Sequence, residues 1–196
     1  MDKKKIIFFV ISIIFSLFSN YYVNYRERNN KLEQLKDPII DNLPYFKNLD
    51  YLYDLLSFPP LILLLINYDK IPINNLLLNV GLIYLLRGIC VLTTSIPKLK
   101  TCDIKYNDKK IFFSGGCYDK IFSGHVAFII TFVLYNIYYT NQAKYKILYY
   151  FYILLTTILS FLTESHYSID VIISWIISFS IFLSINKEKS INQLFI

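Results

Sequence analysis

Residues 166–186 read HYSIDVIISWIISFSIFLSIN, a short polar head followed by a long apolar run. After Asp170 no charged residue occurs until Lys187. A helix needs about 20 mostly apolar residues to cross a bilayer. This stretch therefore predicts a transmembrane helix that begins near Ile169 and holds His166 and Asp170 close to one membrane face.

The rest of the chain has the same character. Apolar residues make up 55% and aromatic residues 18% of the 196 residues, and the mean hydropathy is +0.44. Such a composition is not that of a small water-soluble domain, and the aromatic share is typical of helix ends at a membrane interface. The net charge of +6 comes without a basic run of the RNA-binding kind. We expect membrane lipids as partners and no nucleic acid.

Further apolar segments predict an all-α polytopic membrane protein, a bundle of six transmembrane helices. The predicted spans are 6–25, 51–68, 73–96, 121–140, 147–163 and 169–186. The second contains Pro59-Pro60 and is expected to kink there. Residues 1–30 are predicted to form the first anchor and the start of an outer loop, 31–186 the main bundle, and 187–196 a short cytosolic tail.

The start of the chain permits two interpretations. Lys3-Lys4-Lys5 before an apolar segment is typical of a signal peptide and of a membrane anchor, and the lack of a small-residue cleavage site favours the anchor. With the first residues in the cytosol, loops 26–50, 97–120 and 164–168 face the lumen or the exterior. The distribution of Lys and Arg does not support this orientation. It rests on the clustering of the loops, and the choice between Golgi, endoplasmic reticulum and plasma membrane stays open.

The three cysteines have different settings. Cys90 lies in an apolar run and is expected to pack as a small hydrophobe. Cys102 and Cys117 flank one polar loop and are able to form a disulfide if that loop faces an oxidising compartment. Their spacing is not that of a zinc site, and we expect neither a metal nor a cofactor.

Arg87 lies deep in an apolar segment, about ten residues from Pro97. A charge in the bilayer is costly and marks a functional site by default. The alternative is a side chain that snorkels to the interface, but about 15 Å of helix separates Arg87 from Pro97. We favour a phosphate-facing role.

Ser123-Gly124-His125 opens the predicted fourth span. Free N–H groups at a helix start attract anions, and Gly124 allows a phosphate to approach the backbone closely. Taken alone, the tripeptide is better explained by a capping serine beside an interface histidine.

His166 and Asp170 are four residues apart, so both lie on one helical face if the sixth helix begins early. A carboxylate beside an imidazole fixes its tautomer and stabilises its cation. The alternative is a helix-start aspartate that pairs with a neighbouring histidine. His125 and His166 are the two histidines of the chain, and both fall on the same side of the predicted bundle. That coincidence favours a joint catalytic role.

The motifs resemble the signatures of sphingomyelin synthases, a branch of the type 2 phosphatidic acid phosphatase superfamily. Cys117-x-Asp119-x-x-Phe122-Ser-Gly-His125 looks like the third signature and His166-Tyr-Ser-Ile-Asp170-Val like the fourth. Arg87 through Thr93-Thr-Ser-Ile-Pro97 resembles the second, and Pro38-x-x-Asp41 faintly resembles the first.

The chain also departs from these patterns. Phe122 stands where the wider superfamily has proline, and Ser160 stands where it has an arginine upstream of the last histidine, which favours the synthase branch. Ser168 replaces a usual threonine, and Ser174-Trp175 replaces a small-aromatic pair. These last differences leave the headgroup undecided.

The resemblance implies a six-helix bundle and a double displacement. His166, oriented by Asp170, attacks the phosphorus of a phospholipid, His125 acts as the acid and then the base, and a phosphohistidine forms between the two steps. Arg87, Ser123 and Gly124 are the expected phosphate-binding residues. The donor is expected to be phosphatidylcholine or phosphatidylethanolamine before phosphatidylinositol, and the acceptor ceramide or diacylglycerol.

Two rival functions stay open at this point. One is a lipid phosphate phosphatase with water as acceptor, and the other is a non-enzymatic lipid-binding membrane protein. A choline cage formed by Phe122, Tyr167 and Trp175 is an additional hypothesis. The oligomeric state is not predicted.

Overall fold

The computed structural model describes residues 2–27, 29, 33–99, 102, 116–140 and 145–186. Within these ranges the regular structure is helical. The α-helices are α1 (Lys3–Glu27), α2 (Asp50–Leu55), α3 (Phe58–Ile66), α4 (Ile73–Thr93), α5 (Gly124–Tyr139), α6 (Lys146–Leu162) and α7 (Ser168–Ile185). Short 3₁₀ turns cover Ile40–Asn42 and Lys47–Leu49. The predicted tail 187–196 lies outside the described residues.

Four helical segments are long and apolar enough to cross a membrane, namely 3–27, 47–66, 73–93 and 168–185. Helices α5 and α6 are apolar but shorter. The all-helical membrane architecture is therefore confirmed, while the count of six spans stays a prediction. Helix α5 is shorter than predicted because it begins at Gly124, after a loop that includes Ile121, whereas α6 has nearly its predicted bounds and is short in the sequence itself.

Helix α5 is the centre of the bundle. Its apolar side chains Val126, Ile129, Ile130, Val133 and Leu134 are fully buried, as expected for a helix that is hydrophobic all round. Helices α3, α4, α6 and α7 pack around it.

The outward faces carry large apolar side chains. Exposed examples include Ile14 and Phe18 on α1, Ile147 and Phe151 on α6, and Ile176 on α7. An apolar surface of this extent suits contact with lipid rather than water. It supports an integral membrane protein.

The expected kink in the second span is a break between two helices. Helix α2 ends at Leu55 and α3 begins at Phe58, so that Pro59 and Pro60 lie in the first turn of α3. Proline is tolerated there because the first N–H groups of a helix have no intrahelical partner. The break places the end of α2 beside the start of α5.

Helix α1 packs along α4. The contact is close because α4 has glycine where the helices meet. A Cβ on Gly81 would lie 2.8 Å from the Phe8 ring and 3.3 Å from the Phe9 Cα atom. Small residues let transmembrane helices approach in this way.

We therefore expect Gly81→Leu to force α1 and α4 apart. Overpacking of a tight contact typically costs about 1–3 kcal/mol. The apparent midpoint of thermal unfolding in detergent should fall. The matched control is Ser180→Leu, which adds the same side chain at an exposed position of α7. Equal midpoints for the two variants would show that α1 does not depend on this contact.

Candidate active site

A cavity of about 470 Å³ lies between α1, α3, α4 and α5 and the loops before α5 and α7. Its polar wall includes Arg87, Lys120, His125 and His166. Its apolar wall is formed by Ile13, Leu17, Phe58, Leu61 and Phe128. The cavity thus joins the predicted catalytic residues to a surface that suits lipid chains.

Arg87 is buried, with 7% of its surface exposed. Its Nη1 donates to Asn20 Oδ1 on α1 at 2.5 Å, and its Nη2 donates to the Asp119 carbonyl at 3.2 Å. The Asp119 carboxylate is 3.8 Å from Nη2. Arg87 is held inside the bundle by two elements besides its own helix, so it does not snorkel.

Gly124 permits the close approach of Arg87 to the start of α5. A Cβ at position 124 would lie 3.2 Å from Arg87 Nε. Nε is buried and has no hydrogen-bond partner among the described residues. The guanidinium thus keeps a donor beside the first turn of α5.

Ser123 is a helix cap. Its Oγ accepts from the Val126 N–H at 3.3 Å and lies 3.2 Å from the Tyr53 hydroxyl. The residue is fully buried and is not part of the cavity wall, whereas Gly124 and His125 are. The structure gives Ser123 a capping role, and contact with phosphate stays a prediction for both Ser123 and Gly124.

Phe122, just before this cap, has φ of 21°. Proline is locked near −65° and cannot adopt that value. The backbone therefore fits the absence of the proline that the wider superfamily has before Ser-Gly-His.

His166 is not on the last helix. Helix α7 begins at Ser168 with Tyr167 as its N-cap, so the four-residue spacing does not place His166 and Asp170 on one helical face. His166 Nδ1 lies 3.0 Å from the Lys120 carbonyl oxygen and 3.9 Å from Asp170 Oδ2. A carbonyl only accepts hydrogen bonds, so Nδ1 carries the proton and Nε2 keeps its lone pair.

Asp170 has a structural partner as well. Its Oδ2 accepts from the Tyr167 N–H at 3.1 Å, while Oδ1 has no hydrogen bond among the described residues. The side chain is fully buried. Asp170 thus holds the turn that carries His166 and lies close enough to influence its charge, but the Lys120 carbonyl orients the ring.

His125 has a carboxylate partner that the motifs did not indicate. Its Nε2 lies 3.4 Å from Asp54 Oδ1, and its ring lies against Tyr53 with centroids 5.3 Å apart. About 29% of the His125 side chain and 59% of the Asp54 side chain are exposed. Only the folded chain brings Asp54, on α2, to the start of α5.

Asp37 is a second residue that the motifs missed. It accepts from the Ser168 N–H at 2.6 Å and from the Ile39 N–H at 3.0 Å. Burial raises the pKa of Asp37, but these and other hydrogen bonds together lower it below its ordinary value. Asp37 thereby ties the loop after α1 to the first turn of α7. Asp41, from the faint first motif, accepts from the Asp37 N–H instead.

The predicted choline cage is wrong. Phe122 and Tyr167 are buried away from the cavity, and the Tyr167 hydroxyl donates to the Pro97 carbonyl. Trp175 donates its indole N–H to Thr157 on α6. The aromatic residues of the cavity wall are Phe58, Tyr84 and Phe128.

Cys102 and Cys117 form a disulfide, and Cys90 is a free cysteine. Cys117 lies two residues before Asp119, whose carbonyl accepts a hydrogen bond from Arg87. Among the described residues no group of three His, Cys, Asp or Glu side chains is placed to hold a metal ion.

One continuous stretch of the sequence contains the loop before α5, helices α5, α6 and α7, and the turn before α7. Residues 116–187 match the family model described as PAP2 superfamily C-terminal. This match covers His125, His166 and Asp170, and it supports the PAP2 superfamily without distinguishing its sphingomyelin synthase-like branch. A search of curated proteins finds no match to the chain. The superfamily match indicates lipid chemistry of the phosphatase or phosphotransferase type.

The surroundings of His166 predict a neutral imidazole. Burial lowers the pKa of His166 well below its ordinary value, and the Lys120 charge lowers it further. The unfolded chain therefore binds a proton below about pH 6.5 that the folded chain does not, and stability should fall as the pH drops through that range. Nitrogen-15 NMR of histidine-labelled protein should show a neutral Nδ1–H tautomer, assigned by its loss in His166→Gln. Protonation near pH 6.5, or an Nε2–H tautomer, would contradict the geometry.

Proposed function

We propose that the cavity is the active site of a phospholipid headgroup transferase. The enzyme moves phosphocholine or phosphoethanolamine from a glycerophospholipid to ceramide or a related lipid alcohol through a phosphohistidine. One observation carries the proposal: the bond between His166 Nδ1 and the Lys120 carbonyl leaves Nε2 as a nucleophile in the cavity that also holds Arg87 and His125.

The first step breaks the bond between phosphorus and the diacylglycerol oxygen. His166 Nε2 attacks the phosphorus, and protonated His125 gives its proton to the departing oxygen. Asp54, 3.4 Å from His125 Nε2, stabilises the imidazolium that this step needs. Positioned proton transfer of this kind typically contributes about 10²- to 10⁴-fold to the rate.

The second step restores the enzyme. His125, now neutral, takes the proton of the acceptor hydroxyl, whose oxygen attacks the phosphorus and breaks the bond between phosphorus and His166. Arg87 and the first N–H groups of α5 stabilise the charge on the phosphoryl oxygens in both steps. Division of the transfer into two displacements is nucleophilic catalysis.

The apolar wall supports a lipid acceptor. Ile13, Leu17, Phe58 and Leu61 line the same cavity as the histidines, and such a surface favours an alkyl chain over water. For the headgroup, the exposed Asp54 offers a counter-charge to an ammonium group. That supports a zwitterionic donor without a choice between choline and ethanolamine.

The disulfide supports the proposed location. A Cys102–Cys117 bond suits an oxidising compartment, so we place the site on the lumenal or exterior face of a multi-pass membrane protein. The Golgi, the endoplasmic reticulum and the plasma membrane all meet this condition.

His166→Ala should abolish headgroup transfer because it removes the nucleophile, and Asp170→Asn should lower transfer at least about 100-fold because a buried carboxylate beside the imidazole is lost. Both variants should insert in membranes as the parent does. Product formation is measured with fluorescent ceramide and purified protein in vesicles. Trp175→Phe, which alters a residue outside the cavity, is the control. Normal product formation by His166→Ala would remove the proposed nucleophile.

The donor can be identified by competition. Isotopically labelled phosphatidylcholine, phosphatidylethanolamine and phosphatidylinositol are mixed in one vesicle preparation, and the products are resolved by mass spectrometry. We expect a choline or ethanolamine product, because Asp54 offers charge to a cation. A product that carries mainly phosphoinositol would contradict the proposal that the donor is a zwitterionic phospholipid. Release of free phosphate or a free phosphorylated headgroup without lipid acceptor would favour the hydrolase, and no turnover at all would favour a lipid-binding protein.

A further inference from the structure

Lys120 is a cation of the cavity wall that none of the sequence motifs singles out. It lines the same cavity as Arg87, His125 and His166. It belongs to the segment between the disulfide at Cys117 and the start of α5, and its surface is partly buried.

The backbone around Lys120 is fixed by the site itself. The Asp119 carbonyl accepts from Arg87 Nη2 at 3.2 Å, and the next carbonyl, that of Lys120, is bonded to His166 Nδ1 at 3.0 Å. The Asp119 side chain adds a bond from the Gly116 N–H at 2.7 Å. The main chain at Lys120 is therefore held between the guanidinium and the imidazole, whatever the lysine side chain does.

The ammonium of Lys120 makes no direct contact with a carboxylate among the described residues, although three carboxylates act on it from a distance. Among the described residues its ammonium has no hydrogen bond and no ion pair. The adjacent Asp119 carboxylate is shared between Gly116 and Arg87. Burial lowers the pKa of Lys120, the carboxylates of Asp119, Asp170 and Asp50 raise it, and the neighbouring charge of Arg87 lowers it. Two cations on one cavity repel each other unless an anion joins them.

We propose that Lys120 is a second phosphate-binding cation, which holds the phosphoryl group of the lipid together with Arg87. The inference rests on the proposed function and deepens it, because it assigns a substrate contact to a residue outside the motifs. Negative charge grows on the non-bridging oxygens during phosphoryl transfer, and preorganised cations stabilise it. A lysine supplies a point charge for such oxygens, where an arginine supplies a planar fork.

The test measures binding of inorganic phosphate to the full-length protein in detergent, by the rise of its unfolding midpoint with phosphate concentration. Lys120→Met removes the charge but keeps the length of the side chain, and Lys120→Arg keeps the charge. Lys98→Met is the matched control, since Lys98 is exposed and lies outside the cavity wall. Without phosphate, the parent and the three variants should have the same unfolding midpoint, which shows that the Lys120 side chain is not needed for the fold.

We expect Lys120→Met to weaken phosphate binding about tenfold or more, the effect of losing one charge-assisted contact. Lys120→Arg should stay within about threefold of the parent, and Lys98→Met should not change. The KM for the donor lipid should rise in Lys120→Met and recover in Lys120→Arg.

Two results would overturn the inference. One is equal phosphate binding by Lys120→Met and the parent while Arg87→Leu binds none, which leaves the phosphate site and the proposed transferase intact. The other is no phosphate effect on the parent protein. Conversely, if phosphate binding depends on Lys120 but no headgroup is transferred, the inference stands and the transferase proposal fails.

Discussion

The rest of the site depends on one buried guanidinium. Arg87 lies in the middle of an apolar helix, and a charge there is costly unless polar groups surround it. Asn20 of α1 and the Asp119 carbonyl supply those groups. Because the partners come from α1 and from the loop before α5, the charge fixes the position of both. Gly124 then lets the start of α5 approach the same guanidinium.

The loop that Arg87 holds also determines the tautomer of His166, the proposed nucleophile. Asp119 and Lys120 offer consecutive carbonyls, one to Arg87 and one to His166. The second bond selects the tautomer of His166, so the guanidinium proposed to bind phosphate and the imidazole proposed to attack it are held by two adjacent peptide groups. The disulfide at Cys117 and the Tyr118 N–H bond to Asn24 of α1 restrain this segment further. Movement of the loop would therefore disturb the positions of Arg87 and His166 together.

The sequence predicts the helices well because a long run of apolar residues is a direct signal of a helix that can cross a membrane. It also predicts that Arg87, His125 and His166 lie near one another. Successive membrane spans alternate in direction, so the predicted loops 97–120 and 164–168 fall on the same membrane face. Prediction from the sequence fails where proximity arises only in the folded chain: Asn20 meets Arg87 across 67 residues and Asp37 meets Ser168 across 131. Asp54 and Lys120 are ordinary charged residues in the sequence; the fold brings Asp54 to His125 and places Lys120 in the cavity wall. The spacing of His166 and Asp170 was misleading because α7 starts at Ser168.

The proposed mechanism requires that His166 becomes covalently attached to phosphorus. The direct measurement incubates purified protein with donor phospholipid in the absence of acceptor, stops the reaction in alkali, where a phosphoramidate survives, and maps adducts by peptide mass spectrometry. The account predicts that the peptide containing His166 carries the phosphorylated headgroup, and that added ceramide removes it. An adduct on His125 instead, or steady transfer to ceramide with no adduct on either histidine, would contradict it.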